Sequence, residues 1–151
     1  SMATILFYEK PGCRNNNRQK AMLELSGHTL ETVNLLEYAW SKEELAAYLG
    51  DKPVADCFNP AAPMIKSGEL NPHMFTREEA IAIMIQQPLL IKRPLMKIGG
   101  HHLLGFDTTI LKKLIHLTPP HDEEEVTTSI NMSDLNSCPH DKNFSCTTQE
   151  H

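Results

Sequence analysis

The first 34 residues constrain this chain more than any other stretch, because they alternate strand, helix and strand. Thr4-Ile5-Leu6-Phe7-Tyr8 is β-branched and aromatic, the composition of a short buried strand. Pro11-Gly12 breaks it. Arg14 through Leu25 then reads as a helix, with Ala21, Met22 and Leu25 at helical spacing. Gly27 ends that helix, and His28-Thr29-Leu30-Glu31-Thr32-Val33 has the composition of a second strand. Two strands joined by a helix are expected to run parallel, with the helix packed on one face of their sheet.

Cys13 falls at the strand-to-helix turn of this unit. The first amides of a helix lack intrahelical partners, and together with the helix dipole they stabilise an anion. Arg14, Arg18 and Lys20 add positive charge nearby. These effects favour thiolate over thiol, and the thiolate is the nucleophile. The alternative is a packed cysteine, since free Cys is often buried. A cysteine that follows Pro-Gly and precedes a polar run fits the reactive reading better. Asn15, Asn16 and Asn17 can donate side-chain hydrogen bonds to a bound anion, or simply shape an irregular first turn. Lys20 is expected on the solvated face of the helix.

Further along, Ser41-Lys42-Glu43-Glu44 has the pattern of a capping box, opening a helix through Leu45 and Tyr48 that closes at Gly50. Trp40 precedes it as a staple residue. Residues 51–73, rich in Pro, Gly and Asn, are expected to form short turns and one helical turn. Cys57 in this insert reads as a packed thiol. Thr76-Arg77-Glu78-Glu79 is a second capping box, opening an apolar helix from Ala80 to Ile85. Ile98 to Leu104 reads as two short strands joined at Gly99-Gly100, a hairpin signal that leaves His101-His102 exposed in the turn. Asp107 caps a last helix whose apolar face is Ile110, Leu111, Leu114 and Ile115, and Pro119-Pro120 ends order. The fold expected is α/β: a four-stranded mixed sheet with flanking helices and a helical insertion, in the thioredoxin-like pattern.

Charge divides the chain into two parts. Residues 118–151 hold seven acids and one base, a net −6, whereas the whole chain is −5, which leaves about +1 for residues 1–117. With few large apolar residues, the C-terminal stretch cannot bury enough surface to order itself. It reads as an acidic, disordered tail after a domain spanning 1–117. The near-neutral body has no basic stripe, so nucleic acid is not an expected partner. No run reaches the roughly 18 apolar residues of a membrane span, and no export signal is visible, so the expected compartment is the cytoplasm, where thiols stay reduced. The four cysteines at 13, 57, 138 and 146 then read as thiols, and their spacing suggests no metal site. A monomer is expected.

Two separated motifs resemble the ArsC/Spx family of arsenate reductase-like proteins. Tyr8-x-x-Pro11-x-Cys13 is similar to its active-site start, and Pro88-Leu89-Leu90-Ile91-Lys92-Arg93-Pro94-Leu95 to its P-x-L-I-x-R-P-I segment. Within the family, Tyr8-Glu9-Lys10-Pro11-Gly12-Cys13-x-Asn15-Asn16-x-Arg18-Gln19-Lys20, Phe58-Asn59-Pro60-Ala61-Ala62-Pro63 and Arg93-Pro94-Leu95-Met96 resemble the nitrogenase-associated, ArsC-like branch. The resemblance covers Thr4 to Leu117. It implies a thioredoxin-like fold with a helical insertion, a cis peptide before Pro94, and Cys13 as the catalytic residue. It adds Arg93 and Pro94 to a substrate site in which Arg14 and Arg18 read as a cradle for a glutathione carboxylate or an oxyanion and Asn16 as a donor to it; nothing in the sequence suggests a metal or cofactor.

The chain departs from that family at three positions. Relatives that reduce arsenate hold the oxyanion with three arginines, a task suited to guanidinium geometry. Arg93 matches one, but Val54–Asn59 contains no arginine and Phe106 stands where the third falls. Asn16, three residues after Cys13, replaces the second cysteine of disulfide-switch relatives. A monothiol site needs glutathione or another outside thiol to resolve it. The expectation is an ArsC-like monothiol oxidoreductase associated with nitrogen fixation, reducing a disulfide or an oxyanion with glutathione as co-substrate and glutaredoxin as a partner. The alternative is a non-catalytic Spx-like module that binds a protein partner through its acidic tail.

Overall fold

The computed structural model describes residues 2–118; the expected acidic tail otherwise lies outside them. Its elements are strand β1 (Thr4–Glu9), helix α1 (Arg14–Leu25), strand β2 (Thr29–Asn34), helices α2 (Lys42–Leu49), α3 (Pro63–Lys66) and α4 (Arg77–Gln86), strands β3 (Leu95–Ile98) and β4 (His101–Leu104), and helix α5 (Thr108–Leu114). Short 3-10 turns occupy Val54–Cys57, Pro72–Met74 and Pro88–Leu90. The sheet runs β2-β1-β3-β4. β1 and β2 are parallel, whereas β3 pairs antiparallel with both β1 and β4. This is the expected four-stranded mixed sheet.

Side chains alternate across β1, and the two faces bury different sets. Ile5 and Phe7 point to one side and pack with Met22 and Leu23 of α1, Met96 and Ile98 of β3, and Phe106, Leu111 and Ile115. Tyr8 faces the opposite core with Leu35, Leu45, Tyr48, Leu49, Cys57, Met84, Leu90 and Ile91. The insertion between β2 and β3 therefore builds the second layer. It is tied down where the Asn59 amide donates to the Leu90 carbonyl at 2.8 Å, the Lys92 amide to that of Cys57 at 3.0 Å, and Phe58 bridges Ile91.

Several local expectations change. β3 begins at Leu95, directly after Pro94, so only Gly99-Gly100 forms the hairpin turn. His101 and His102 are strand residues, and the His102 ring meets Tyr48 edge-on, centroids 4.7 Å apart. The Thr76 capping box is complete. At Ser41 only half of one forms: its hydroxyl accepts the Glu44 amide at 3.0 Å, but the Glu44 carboxylate accepts from the Tyr38 hydroxyl instead. Leu25 is 76 % exposed, and the buried side of α1 is Asn15, Asn16, Gln19, Met22 and Leu23. Three of the five residues that α1 buries are thus polar.

Candidate active site

The site starts from a tight turn. Lys10, Pro11, Gly12 and Cys13 close with the Cys13 amide donating to the Lys10 carbonyl at 3.1 Å, and Gly12 has φ of 84°. Proline second and a positive-φ residue third is the signature of a type II turn, which is why Pro-Gly stands here. The turn delivers Cys13 to the N-cap of α1, where its Sγ accepts the Asn16 amide at 3.5 Å. A sulfur at this position faces the unpaired amides of the first helical turn.

Asn16 holds this arrangement together. Its Oδ1 accepts the Lys10 amide at 3.0 Å and its Nδ2 donates to Gln19 Oε1 at 2.9 Å. Both Asn16 and Gln19 are buried. One side chain thereby couples the end of β1, the turn and the first turn of α1. The Glu9 carboxylate pairs with Lys20 at 2.7 Å across the same junction, so Lys20 is an ion-paired residue rather than part of a solvated face.

The other wall comes from sequence-distant segments. Cys13 packs against Ala61 of the insertion. The Arg93–Pro94 peptide is cis, as the resemblance implies, and the Pro94 carbonyl accepts the Gly105 amide at 2.8 Å. β1 and β3 are in register at Tyr8 and Leu95. Beyond that pair run Glu9-Lys10 on one chain and Pro94-Arg93 on the other, so the cis peptide lies at the Cys13 end of β1. Lys10 and Arg93 are both buried, at 2 % and 5 % exposure. Arg14 is exposed and Arg18 half-buried. Their i, i+4 spacing puts them on one flank of α1, away from the inward face of Asn16. The structure therefore brings Asn16, Pro94 and Arg93 to the Cys13 end of the sheet and sets Arg14 and Arg18 along the rim.

Cys13 is disulfide-bonded, which corrects the expectation that every cysteine is a thiol. Cys57 is a free, buried thiol. Burial pushes the Cys57 thiol up, against the opposing influence of Arg77 and Lys52. Cys138 and Cys146 lie outside the described residues. Behind the site, Tyr8, Tyr38, Trp40 and Tyr48 pack as an aromatic cluster with centroids 4.6 to 5.8 Å apart. The hydrogen bond to Glu44, then burial, raise the Tyr38 phenol, and burial followed by the Tyr8 hydrogen bond raises that of Tyr48. Phe106 is 1 % exposed and belongs to the α1–α5 core, where it offers nothing to an oxyanion. Among the described residues, no group of three or more His, Cys, Asp or Glu side chains can hold a metal ion, and no helix is long and apolar enough to cross a membrane.

Residues 13–114 match the model of the ArsC family. This chain belongs to that family. The match begins at Cys13 itself and runs through α5. The family is one of thiol-based oxidoreductases, and an arsenate reductase of Acidiphilium multivorum is 29% identical over 98 residues, covering 63% of this chain and 69% of the relative. An uncharacterised 15.7 kDa protein of the draG 3′ region of Rhodospirillum rubrum is 49% identical over 116 residues, covering 77% of this chain and 81% of that protein. Among solved structures, an ArsC-family-related protein of Bacteroides fragilis superposes with a TM-score of 0.64 at 28% identity, covering 74% of this chain and 98% of its own. The arsenate reductase of Vibrio cholerae, 23% identical over 76% of this chain and all of its own, supports the fold with a TM-score of 0.63.

Sequence reasoning missed the structural roles of Gln19, Lys10 and Ala61, all three of which appeared only inside a motif. The signal for Gln19 was its i+3 spacing from Asn16, which places the two amides on one side of a helix.

Proposed function

We propose that this chain is a monothiol oxidoreductase that works through Cys13 and exchanges disulfides with glutathione in the cytoplasm. The observation that carries this reading is Cys13 at the N-cap of α1, with its sulfur accepting the Asn16 amide. In the reduced form that amide and the helix dipole stabilise the thiolate relative to the thiol. The thiolate attacks one sulfur of a glutathione-bearing disulfide. A Cys13–glutathione disulfide forms and the other sulfur leaves as a thiolate, which takes up a proton from water. Attack on that mixed disulfide by a second thiol, from glutathione or a glutaredoxin, regenerates Cys13.

Arg14 and Arg18 on the α1 rim suit the carboxylates of glutathione, and Arg93 adds positive charge at the sulfur end. The cis Arg93–Pro94 segment lies at the Cys13 end of β1, and its backbone suits an extended peptide ligand in this reading. Arsenate is the weaker substrate in this reading. A tetrahedral oxyanion needs several convergent cations, and of the two further arginine positions one holds no arginine and the other is Phe106 in the core. The link to nitrogen fixation rests on the resemblance and on the draG neighbourhood in the R. rubrum relative's name.

The test is the pH dependence of Cys13 alkylation in reduced protein, with Cys13→Ser as the blank. The expected midpoint lies below the roughly 8.5 of free cysteine, with glutathione disulfide blocking alkylation and arsenate leaving it unchanged. An ordinary midpoint with no effect of glutathione disulfide would sink the proposal.

A further inference from the structure

We propose that Ala61 is the specificity-determining residue of the Cys13 site, setting how bulky a disulfide can reach the Cys13 sulfur. This rests on the reading of Cys13 as the redox-active thiol, and deepens it by narrowing the substrate class.

The first observation is what Ala61 touches. Cys13 and Ala61 are 1 % and 4 % exposed, and they form a buried apolar contact separate from both main cores. The next residue, Ala62, packs instead into the core beneath the insertion. The turn thus sends one methyl into the core and the other onto the cysteine. A cysteine side chain is only Cβ and Sγ, so a methyl packed against it crowds whatever bonds to the sulfur.

The second observation is how firmly Ala61 is held. Asn59 Oδ1 accepts the Ala61 amide at 3.0 Å, and Asn59 Nδ2 donates to the Leu89 carbonyl at 3.2 Å. The Asn59 amide donates to the Leu90 carbonyl at 2.8 Å, and the Ala62 amide closes the turn onto the Asn59 carbonyl at 3.1 Å. Asn59 is itself buried. Pro60 and Pro63 flank the two alanines, and each ring fixes its own φ. The turn is fastened to the Pro88–Leu90 segment that leads into Arg93–Pro94. A side chain on such a turn acts as a fixed wall rather than a lid.

The wall matters at one chemical step. The Cys13 thiolate forms a bond to one sulfur of the disulfide, the old S–S bond breaks, and the other sulfur leaves as a thiolate that takes a proton from water. The substituents on the attacked sulfur must fit beside Ala61 as that bond forms. Disulfides of small, slender thiols are therefore admitted, and those branched close to sulfur are disfavoured. In a tight apolar pocket one methylene of misfit changes discrimination by about 10- to 200-fold.

The experiment follows loss of the free Cys13 thiol in reduced full-length protein, read at the Cys13 peptide by mass spectrometry after quenching with N-ethylmaleimide. The two probes are bis(2-hydroxyethyl) disulfide, which is unbranched, and glutathione disulfide, which branches at the second carbon from sulfur. Wild type, Ala61→Gly and Ala61→Val are compared, with Trp40 emission showing that each is folded. The readout is the ratio of the glutathione disulfide rate to the hydroxyethyl disulfide rate, which cancels any change common to both probes. Ala61→Val is expected to lower the ratio at least tenfold, and Ala61→Gly to raise it at least threefold. If Ala61→Val does not fold, Ala61→Gly decides alone. A ratio within twofold of wild type in every folded variant overturns the inference while the Cys13 reading stands. No reaction of Cys13 with either disulfide in any variant overturns both.

Discussion

Replacing Asn16 with alanine tests whether one buried side chain holds the active-site turn. The carboxamide accepts the Lys10 amide and donates to Gln19, and both partners are buried. Asn16→Ala leaves a backbone N–H and a carboxamide oxygen without partners, each costing about 1–3 kcal/mol. The sum is about 2–6 kcal/mol, and with partial relaxation we expect about 3. At a urea m-value of about 1.5 kcal/mol/M, the midpoint falls by about 2 M. Trp40, the chain's single tryptophan, is buried in the aromatic cluster and reports unfolding by its emission. A midpoint shift below about 0.3 M at unchanged m would refute the claim that this network holds the turn.

The companion variant separates stability from chemistry. Asn16→Asp keeps an oxygen for the Lys10 amide but replaces the donor to Gln19 with an acceptor, and it adds a negative charge one helical turn from Cys13. A carboxylate beside a thiol disfavours the thiolate. The alkylation midpoint of reduced Cys13 should therefore move to higher pH, at urea concentrations where the fold is intact. A midpoint that stays put or falls would show that the Cys13 sulfur does not sense this position.

Other outcomes follow from the same geometry. Cys57, whose thiol burial in the α2–α4 core pushes up, should resist alkylation in the folded protein at pH values where a free cysteine reacts, and react at once in urea. The Tyr38 and Tyr48 phenols are raised in the folded state, so folding favours their protonated forms. That stability is fully present below the unfolded phenol value of about 10 and is lost as pH climbs above it; Tyr38→Phe/Tyr48→Phe should flatten the alkaline limb of a Trp40 emission titration. Thr76→Ala removes the complete capping box of α4 and should cost about 1–2 kcal/mol in urea unfolding, against nearly nothing for Ser67→Ala on the exposed end of α3.

What the sequence made legible here, and what it hid, follows from the range of the interactions involved. The β1–turn–α1 unit could be read directly because Pro11, Gly12 and the polar run act within a few residues of Cys13. The start of β3 could not, since Lys92-Arg93-Pro94 looks like an interruption, whereas β3 begins directly after it with Leu95 in register with Tyr8. Helical spacing alone put Ala21 and Leu25 on the inner face of α1. That face instead holds Asn15, Asn16 and Gln19, because the partners that satisfy buried polar groups include the Lys10 amide across the turn. The half-formed box at Ser41 has the same origin. Glu44 reached a better donor in Tyr38 than the local backbone, and no local pattern announces that. In each case a tertiary partner overrode a correct local rule.

Phe106 offers the sharpest test of why arsenate is the weaker substrate. If the chain had merely lost an arginine from an otherwise intact oxyanion site, Phe106→Arg would restore binding. The structure argues otherwise, because Phe106 is 1 % exposed and packed with Ile5, Phe7, Met22 and Leu111 beneath the sheet. Losing the buried ring costs about 3–5 kcal/mol, and a guanidinium in that apolar surround adds its own desolvation penalty unless it is paired. Phe106→Arg should therefore lower the urea midpoint steeply and give no arsenate protection of Cys13. Phe106→Leu, which keeps an apolar side chain, should retain most of the stability. A stable Phe106→Arg protein in which arsenate slows Cys13 alkylation would show that position 106 opens onto the site, and the case against oxyanion reduction would lose its main structural support.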